Sequence, residues 1–122
     1  MKDWRNNELL INGFGTFQEV FCNKIVKLGY SIDYNEFYEE IANLTIKFIY
    51  DKSQKKYVTI KFVNVDSFVM KGGFFPFFQV MGLQIVDQIE RGLESRYEVS
   101  DWDGGAIYFT CQEILILEVS SE

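Results

Sequence analysis

The strongest constraint on the fold is a tetrapeptide, Thr-Ile-Lys-Phe, that occurs twice in the chain, at Thr45–Phe48 and at Thr59–Phe62. Each copy lies in a run that alternates apolar and polar residues, which is the period-two pattern of a half-buried strand. The polar, lysine-rich segment Asp51–Lys56 between the two runs is typical of a hairpin turn. The sequence therefore predicts a two-stranded ribbon at the centre of a mainly β, antiparallel domain.

The register of this hairpin follows from the residues that must share its buried face. Apolar residues alternate over Leu44–Tyr50 on one strand and over Val58–Phe62 on the other. Directly opposed residues share a face, and a slip of one residue would turn the phenylalanines into water. The loop must therefore have an odd number of residues, centred on Ser53 or Gln54. The opposite face, predicted to be exposed, carries Thr45, Lys47, Thr59 and Lys61.

A second hairpin is predicted between Arg96–Asp101 and Ala106–Cys111 by the same reasoning. The tyrosine and valine of its first strand share a face with the isoleucine, phenylalanine and cysteine of its second, which requires the three-residue loop Asp103–Gly105. A type I turn followed by a left-handed glycine suits that length. This register places Cys111 in the core as a packed thiol.

Several further segments are expected to add to the sheets. Leu9–Ile11 is predicted to form a short strand or to pack as a plug. Phe17–Ile32 fits both a long strand and a helical stripe, and Gly29 and the β-branched residues favour the strand. Val80–Ile89 is predicted to be a strand, with a helix as the weaker alternative. Ile114–Val119, apolar except for one glutamate, predicts a strand buried on both faces in the middle of a two-layer structure.

One short helix is predicted over Tyr34–Ala42. Asp33 can cap it, with Glu36 three residues later in the manner of a capping box. Its glutamates form either a solvated face or a cation site. The apolar stripe of the helix, at i, i+3, i+4 and i+7, is formed by Tyr34, Phe37, Tyr38 and Ile41.

The predicted fold is thus one domain over residues 1–122, a sandwich or strongly curved antiparallel sheet built from hairpins, with at most one short helix.

Composition excludes several kinds of chemistry. The chain has no histidine, which excludes histidine-dependent nucleophile systems and histidine-ligated metals, and its two cysteines cannot form a structural zinc site alone. The sequence has neither a Walker phosphate loop nor a G-x-G-x-x-G motif. We therefore expect no cofactor, no metal and no enzymatic activity. We find no N-terminal signal and no apolar run of roughly 20 residues, so we expect Cys22 and Cys111 to stay reduced in the cytoplasm.

Charge indicates the kind of partner to expect. The formal net charge of −6 disfavours nucleic acid and anionic membranes. The segment 87–122 carries nine acids and two arginines, a polarisation that can steer a basic protein into place, unless these acids serve solubility alone. The candidate partner-binding residues of this segment are Glu90, Glu94, Asp101, Trp102 and Asp103.

Two aromatic features extend the set of candidates. Trp102, flanked by acids, is either a binding anchor or packs over the second face of its sheet. The segment Phe74–Phe78 contains Pro76, the only proline of the chain, and must be a loop or a sheet edge. Its phenylalanines either fold back over the core or form a contact patch for a partner or a second copy, with Phe75 and Phe77 as the candidate contacts.

The segment 81–116 also carries a pattern of strand and turn residues that includes Gly82, Ile85, Asp87, Gly92, Tyr97, Val99, Asp101, Gly104, Ile107, Phe109 and Cys111. In these residues the chain resembles small β-rich proteins of Gram-positive bacteria. Some of those proteins are thought to be immunity proteins that neutralise a polymorphic toxin made by the same cell. Many of the related chains carry a histidine–acid pair where this chain has Gln18 and Glu19. That departure argues further against catalysis.

The function expected from the sequence is a non-catalytic protein-binding module, an immunity protein that occludes a basic toxin through an acidic and aromatic surface. One alternative is a carrier of a small apolar ligand, held by a curved sheet lined with phenylalanines. Another is a hydrolase that uses paired carboxylates, although no spacing singles out two acids.

Overall fold

The structure, a computed structural model, describes residues 4–51, 55–71, 78–80, 82–88, 96–101 and 105–121. Two antiparallel sheets share one apolar core, which confirms the predicted mainly β fold. Its helical elements are α1 (Glu8–Phe14) and two 3₁₀ helices, Trp4–Asn6 and Glu19–Phe21. The strands are β1 (Cys22–Tyr34), β2 (Glu40–Asp51), β3 (Lys55–Val63), β4 (Asp66–Met70), β5 (Phe78–Gln79), β6 (Leu83–Asp87), β7 (Tyr97–Asp101), β8 (Ile107–Cys111) and β9 (Glu113–Ser121).

The two sheets are joined by the side chains between them. The larger sheet has the strand order β5-β1-β2-β3-β9, and the smaller has the order β4-β8-β7-β6. Phe48 and Phe62 of the larger sheet and Phe109 of the smaller are fully buried. The rings of Phe62 and Phe109 meet edge to face with their centroids 5.0 Å apart, a favoured geometry for aromatic pairs.

Both predicted hairpins have the predicted register. In the first, the pairs Leu44–Phe62 and Asp51–Lys55 are symmetric about position 53, one of the two predicted centres. In the second, the ladder is symmetric about position 104. Gly105 has a left-handed φ of 64°, as predicted for the end of that turn, and Cys111 is fully buried. Period-two alternation on both partner strands is thus enough to determine which faces meet.

The predicted helix over Tyr34–Ala42 is wrong, because this segment forms the distal part of a hairpin between β1 and β2. Asp33, expected to cap the helix, pairs instead with Ile41 across the ladder. The strand favoured over Phe17–Ile32 is confirmed from Cys22 onward and runs past its predicted end. A ladder from Tyr30–Leu44 to Tyr34–Glu40 outweighs the weak helix preference of so short a segment.

Strand β9 lies at an edge of the larger sheet, so the prediction of a central strand buried on both faces is wrong. Leu115 and Leu117 are 39% and 49% exposed. The ladder with β3 shifts between Thr59–Glu118 and Ile60–Ile116, which leaves one extra residue in β9. The extra residue shifts the alternation of side chains by one position. An uninterrupted apolar run can therefore place apolar side chains on the same face of the sheet before and after the bulge.

The N-terminal segment closes one end of the structure. Leu10 of α1 is fully buried in the core, as expected of a plug rather than a strand. The rings of Phe14 and Phe17 lie 4.3 and 5.1 Å from that of Tyr50, near the end of β2. Gly13 brings α1 close to β9, since a Cβ there would lie 2.6 Å from Val119 Cγ1. The start of β2, and with it the β1–β2 turn, lies at the opposite end.

We predict opposite effects for alanine at two glycines. Gly13→Ala should lower the free energy of unfolding by about 1–2 kcal/mol, because the added methyl group overpacks the contact with Val119 and outweighs the gain in helix propensity. Gly29→Ala, where a Cβ meets nothing within 4 Å, should be neutral or raise stability by up to about 0.5 kcal/mol. Urea unfolding of both variants checks this. Equal stability of the two variants would contradict the close approach of α1 to β9.

Candidate functional site

The most distinctive surface of the molecule is the distal part of the β1–β2 hairpin, which we call the arm (residues 30–43). Strand β3 pairs with β2 only from Leu44 to Asp51, so residues 40–43 of β2 extend beyond that ladder with β1 as their strand partner. The four residue pairs from Ser31–Asn43 to Tyr34–Glu40 extend the arm roughly 13 Å beyond the end of the β2–β3 ladder at Leu44.

The side chain of Asn35 organises the turn at the tip of the arm. Its Oδ1 accepts hydrogen bonds from the backbone N–H groups of Phe37 at 2.9 Å and Glu39 at 3.0 Å. Tyr38 follows with a φ of 60°, in the left-handed region that costs an L-residue other than glycine about 1–2 kcal/mol. At the turn of the second hairpin, by comparison, the residue in this left-handed conformation is a glycine, Gly105. A tyrosine therefore occupies a position that backbone energetics would assign to glycine or asparagine.

The arm exposes large apolar side chains. Tyr30, Ile32 and Tyr34 share one face and are 58–73% exposed, and at the tip Phe37 and Tyr38 are 72% and 86% exposed. Tyr30, Ile32 and Tyr34 lie on the same face of the sheet as the buried residues of β2, because Tyr30 pairs directly with Leu44. The face of the larger sheet that is buried in the core is therefore exposed to solvent in the arm. Exposed apolar clusters of this kind are typical of interaction surfaces.

The charge of the arm has one sign. Between Lys27 and Lys47 the sequence contains four acids and no lysine or arginine. Asp33 is half-buried, and its carboxylate accepts hydrogen bonds from Ser31 Oγ and Asn43 Nδ2. The other three acids, which are exposed at and beside the tip, are Glu36, Glu39 and Glu40.

An open apolar groove lies at the base of the arm, and we call it the end groove. It has a volume of about 300 Å³, and its walls include Leu28, Tyr30 and Leu44 from the hairpin and Val65 and Phe68 from the other side. Phe68 stacks on the buried Phe109, with ring centroids 5.8 Å apart. One wall of the groove is therefore anchored directly on the core.

Asn43 connects the arm to the far wall of the end groove. It is buried, its Nδ2 donates to Asp33, and its Oδ1 accepts the backbone N–H of Asn64 at 3.1 Å. One residue on, the Val65 N–H donates to the carbonyl of Ala42 at 2.8 Å. These bonds hold the segment that leads into β4 against β2, so the groove is already formed in the free protein.

Among the residues predicted for partner binding, Asp101 lies inside the protein. It is 3% exposed, and its carboxylate accepts the backbone N–H groups of Gly82 at 3.1 Å and Ala106 at 3.3 Å. It shares the buried face of β7 with Tyr97 and Val99, so the alternation of that strand already indicated this position. Asp101 is therefore unavailable to a partner, and the expectation that it lies on a docking surface is corrected. The other predicted contacts, Glu90, Glu94, Trp102, Asp103, Phe75 and Phe77, lie outside the described residues.

Glu19 and Arg5 close an edge of the smaller sheet. They form an ion pair, and Glu19 Oε2 accepts the Ile85 N–H at 3.3 Å while Arg5 Nη2 donates to the Ile85 carbonyl at 3.2 Å. Because β6 is the edge strand, these side chains satisfy backbone groups that a further strand would otherwise bind. Glu19 thus has a structural role.

The two thiols are poor candidates for nucleophiles. Cys22 and Cys111 are free and buried. Burial raises the pKa of Cys22 well above its ordinary value, helped by the charge of Glu19, and burial raises the pKa of Cys111 to about 12. At neutral pH both groups are protonated, and the thiolate is the reactive form.

The described residues contain neither a cluster of metal ligands nor a membrane-spanning helix. Across the described ranges, no cluster of three or more Cys, Asp or Glu residues is placed to hold a metal ion. Within those ranges, no helix has the length and apolarity needed to cross a bilayer. Comparison with protein-family models, curated proteins and solved structures gives no match for this chain.

The structural role of Asp101 gives a direct prediction. Asp101→Ala should lower the free energy of unfolding by about 1–3 kcal/mol, because it leaves buried backbone N–H groups without an acceptor. Glu118→Ala, which removes an exposed carboxylate, should change stability by less than about 0.5 kcal/mol and serves as the matched control. Chemical denaturation measures both. Equal stability of the two variants would contradict the buried, hydrogen-bonded position of Asp101.

Proposed function

We propose that this protein is a non-catalytic binding module that occludes a basic protein partner, in the manner of an immunity protein acting on a toxin. The observation that carries this proposal is the arm, a projecting hairpin that combines exposed aromatic side chains with four acids and no lysine or arginine of its own. Aromatic side chains supply the dominant contacts of many interfaces, and charge complementarity accelerates association with an oppositely charged partner.

The strain at the tip also supports a binding role. Tyr38 keeps its left-handed conformation although its side chain is almost fully exposed and gains little from packing. Strained residues that lack a structural benefit concentrate at functional sites. The described groups most suited to chemistry are engaged elsewhere: Asp101 and Glu19 bind backbone N–H groups, and both cysteines are buried thiols. Each of these observations favours a binding role over a catalytic one.

The proposal is tested by capture of partners from the native cell with the tagged protein. We expect one stoichiometric basic protein, whose own activity is blocked when it is bound. The triple variant Glu36→Gln, Glu39→Gln, Glu40→Gln should associate several-fold more slowly than the wild type at low salt, and the difference should shrink as the ionic strength rises. Capture of no protein by the wild type, or equal association rates at all salt concentrations, would contradict the proposal.

A single substitution separates binding from stability at the tip of the arm. Tyr38→Gly should raise the free energy of unfolding by about 0.5–1 kcal/mol, since glycine adopts the left-handed conformation without steric cost. The same variant should bind the captured partner at least about fivefold more weakly, because it removes an exposed aromatic contact.

Phe37→Gly is the matched control, since Phe37 is also largely exposed but does not have a positive φ. It should weaken binding without raising stability. Thermal unfolding and a binding titration on both variants give the comparison. If Tyr38→Gly binds the partner as tightly as the wild type, the strained tip has no part in recognition.

A further inference from the structure

We propose that the end groove is an anchor pocket that receives one bulky apolar side chain from a lysine- or arginine-rich segment of the partner. This inference rests on the proposed function, since it assigns a role to the surface at the base of the arm. It specifies the contacts with the partner: basic side chains along the acidic arm and one apolar side chain in the groove.

The size and lining of the end groove fit a side chain. Its volume of about 300 Å³ lies at the lower limit of roughly 300–1,000 Å³ that pockets for small molecules have. Leu28, Leu44, Val65 and Phe68 give it apolar walls, against which an inserted leucine or phenylalanine would lose contact with water.

The groove is also rigid enough to select its occupant. Phe68 is stacked on the buried Phe109, and the backbone bond from Val65 to Ala42 sets the width between the two walls. Asn43 holds the arm to the same segment through Asp33 and Asn64. A preformed pocket loses little entropy when it is filled, which raises the affinity that a single anchor can supply.

Charge selects a basic segment over other apolar occupants. Asp66 lines the groove, and the acids of the arm lie beyond it, with no lysine or arginine in the arm. A fatty acid would bring its carboxylate toward these acids. A second copy docked arm to arm would bring the same four acids. Both arrangements place like charges together, whereas a segment rich in lysine or arginine does not.

The test uses three synthetic peptides of equal length and fluorescence anisotropy. The first is lysine-rich with one central leucine, the second has alanine in place of that leucine, and the third is glutamate-rich with the leucine retained. We expect the leucine peptide to bind the wild-type protein at least about tenfold more tightly than the alanine peptide, as burial of one leucine side chain allows. The glutamate-rich peptide should not bind.

Two leucine substitutions test whether the difference between the leucine and alanine peptides arises in the groove. Ala42→Leu fills the groove, in which Ala42 is a lining residue, and should abolish the difference between the leucine and alanine peptides. Gly29→Leu adds a leucine side chain outside the arm, opposite Thr45 on the other face of the hairpin and where a Cβ meets nothing within 4 Å, and should leave the tenfold difference intact. Circular dichroism of both variants checks that each is folded.

The outcomes separate this inference from the proposed function. Equal binding of both lysine-rich peptides, with the glutamate-rich peptide still excluded, would overturn the anchor pocket and leave the basic-partner proposal standing. Binding of the glutamate-rich peptide as tightly as the lysine-rich one would overturn both and favour an apolar carrier. A dimer in sedimentation velocity that Ala42→Leu abolishes would identify the occupant as a second copy and would also overturn the inference.

Discussion

The fold depends on strand β2, because it pairs with a neighbour along both of its edges from Leu44 to Tyr50. Over this length its inner residues Ile46 and Phe48 are fully buried, and they form the part of the core against which the smaller sheet packs. Strands β5 and β9 join the larger sheet through β1 and β3, respectively. A slip of one residue in β2 would therefore misplace the apolar faces of both neighbours at once.

The same strand accounts for the asymmetry of the two ends of the structure. Near Tyr50 its inner face is covered by the aromatic residues Phe14 and Phe17, which close the core. At its other end, β2 and β1 continue beyond the ladder with β3, and the inner face becomes the exposed face of the arm. Burial of apolar surface stabilises one end, and the uncovered surface at the other is the part that a partner can bury.

Much of the fold, but a smaller part of the candidate site, could be predicted from the sequence. The two hairpins were predictable because both strands of each show the same alternation and a short loop limits the pairing. The arm was mistaken for a helix because Tyr34, Phe37, Tyr38 and Ile41 have helical spacing although a turn separates the first from the last. The acidic and aromatic surface predicted from the sequence lies outside the described residues except for Asp101, which is buried by the alternation of its own strand. The acidic and aromatic surface of the arm is a different one, which the sequence did not single out.

The sequence by itself determined the faces and the registers of the two predicted hairpins, because both depend on period-two alternation and on the parity of short loops, which are local properties. Only the tertiary structure decided which strands lie at an edge, where β9 takes an extra residue, and how far the β1–β2 hairpin extends beyond its neighbours. These features depend on the relative lengths and packing of strands distant in the chain. The exposed face of the arm exists because the neighbouring strand ends before β1 and β2 do, and no local pattern in those two strands encodes that difference.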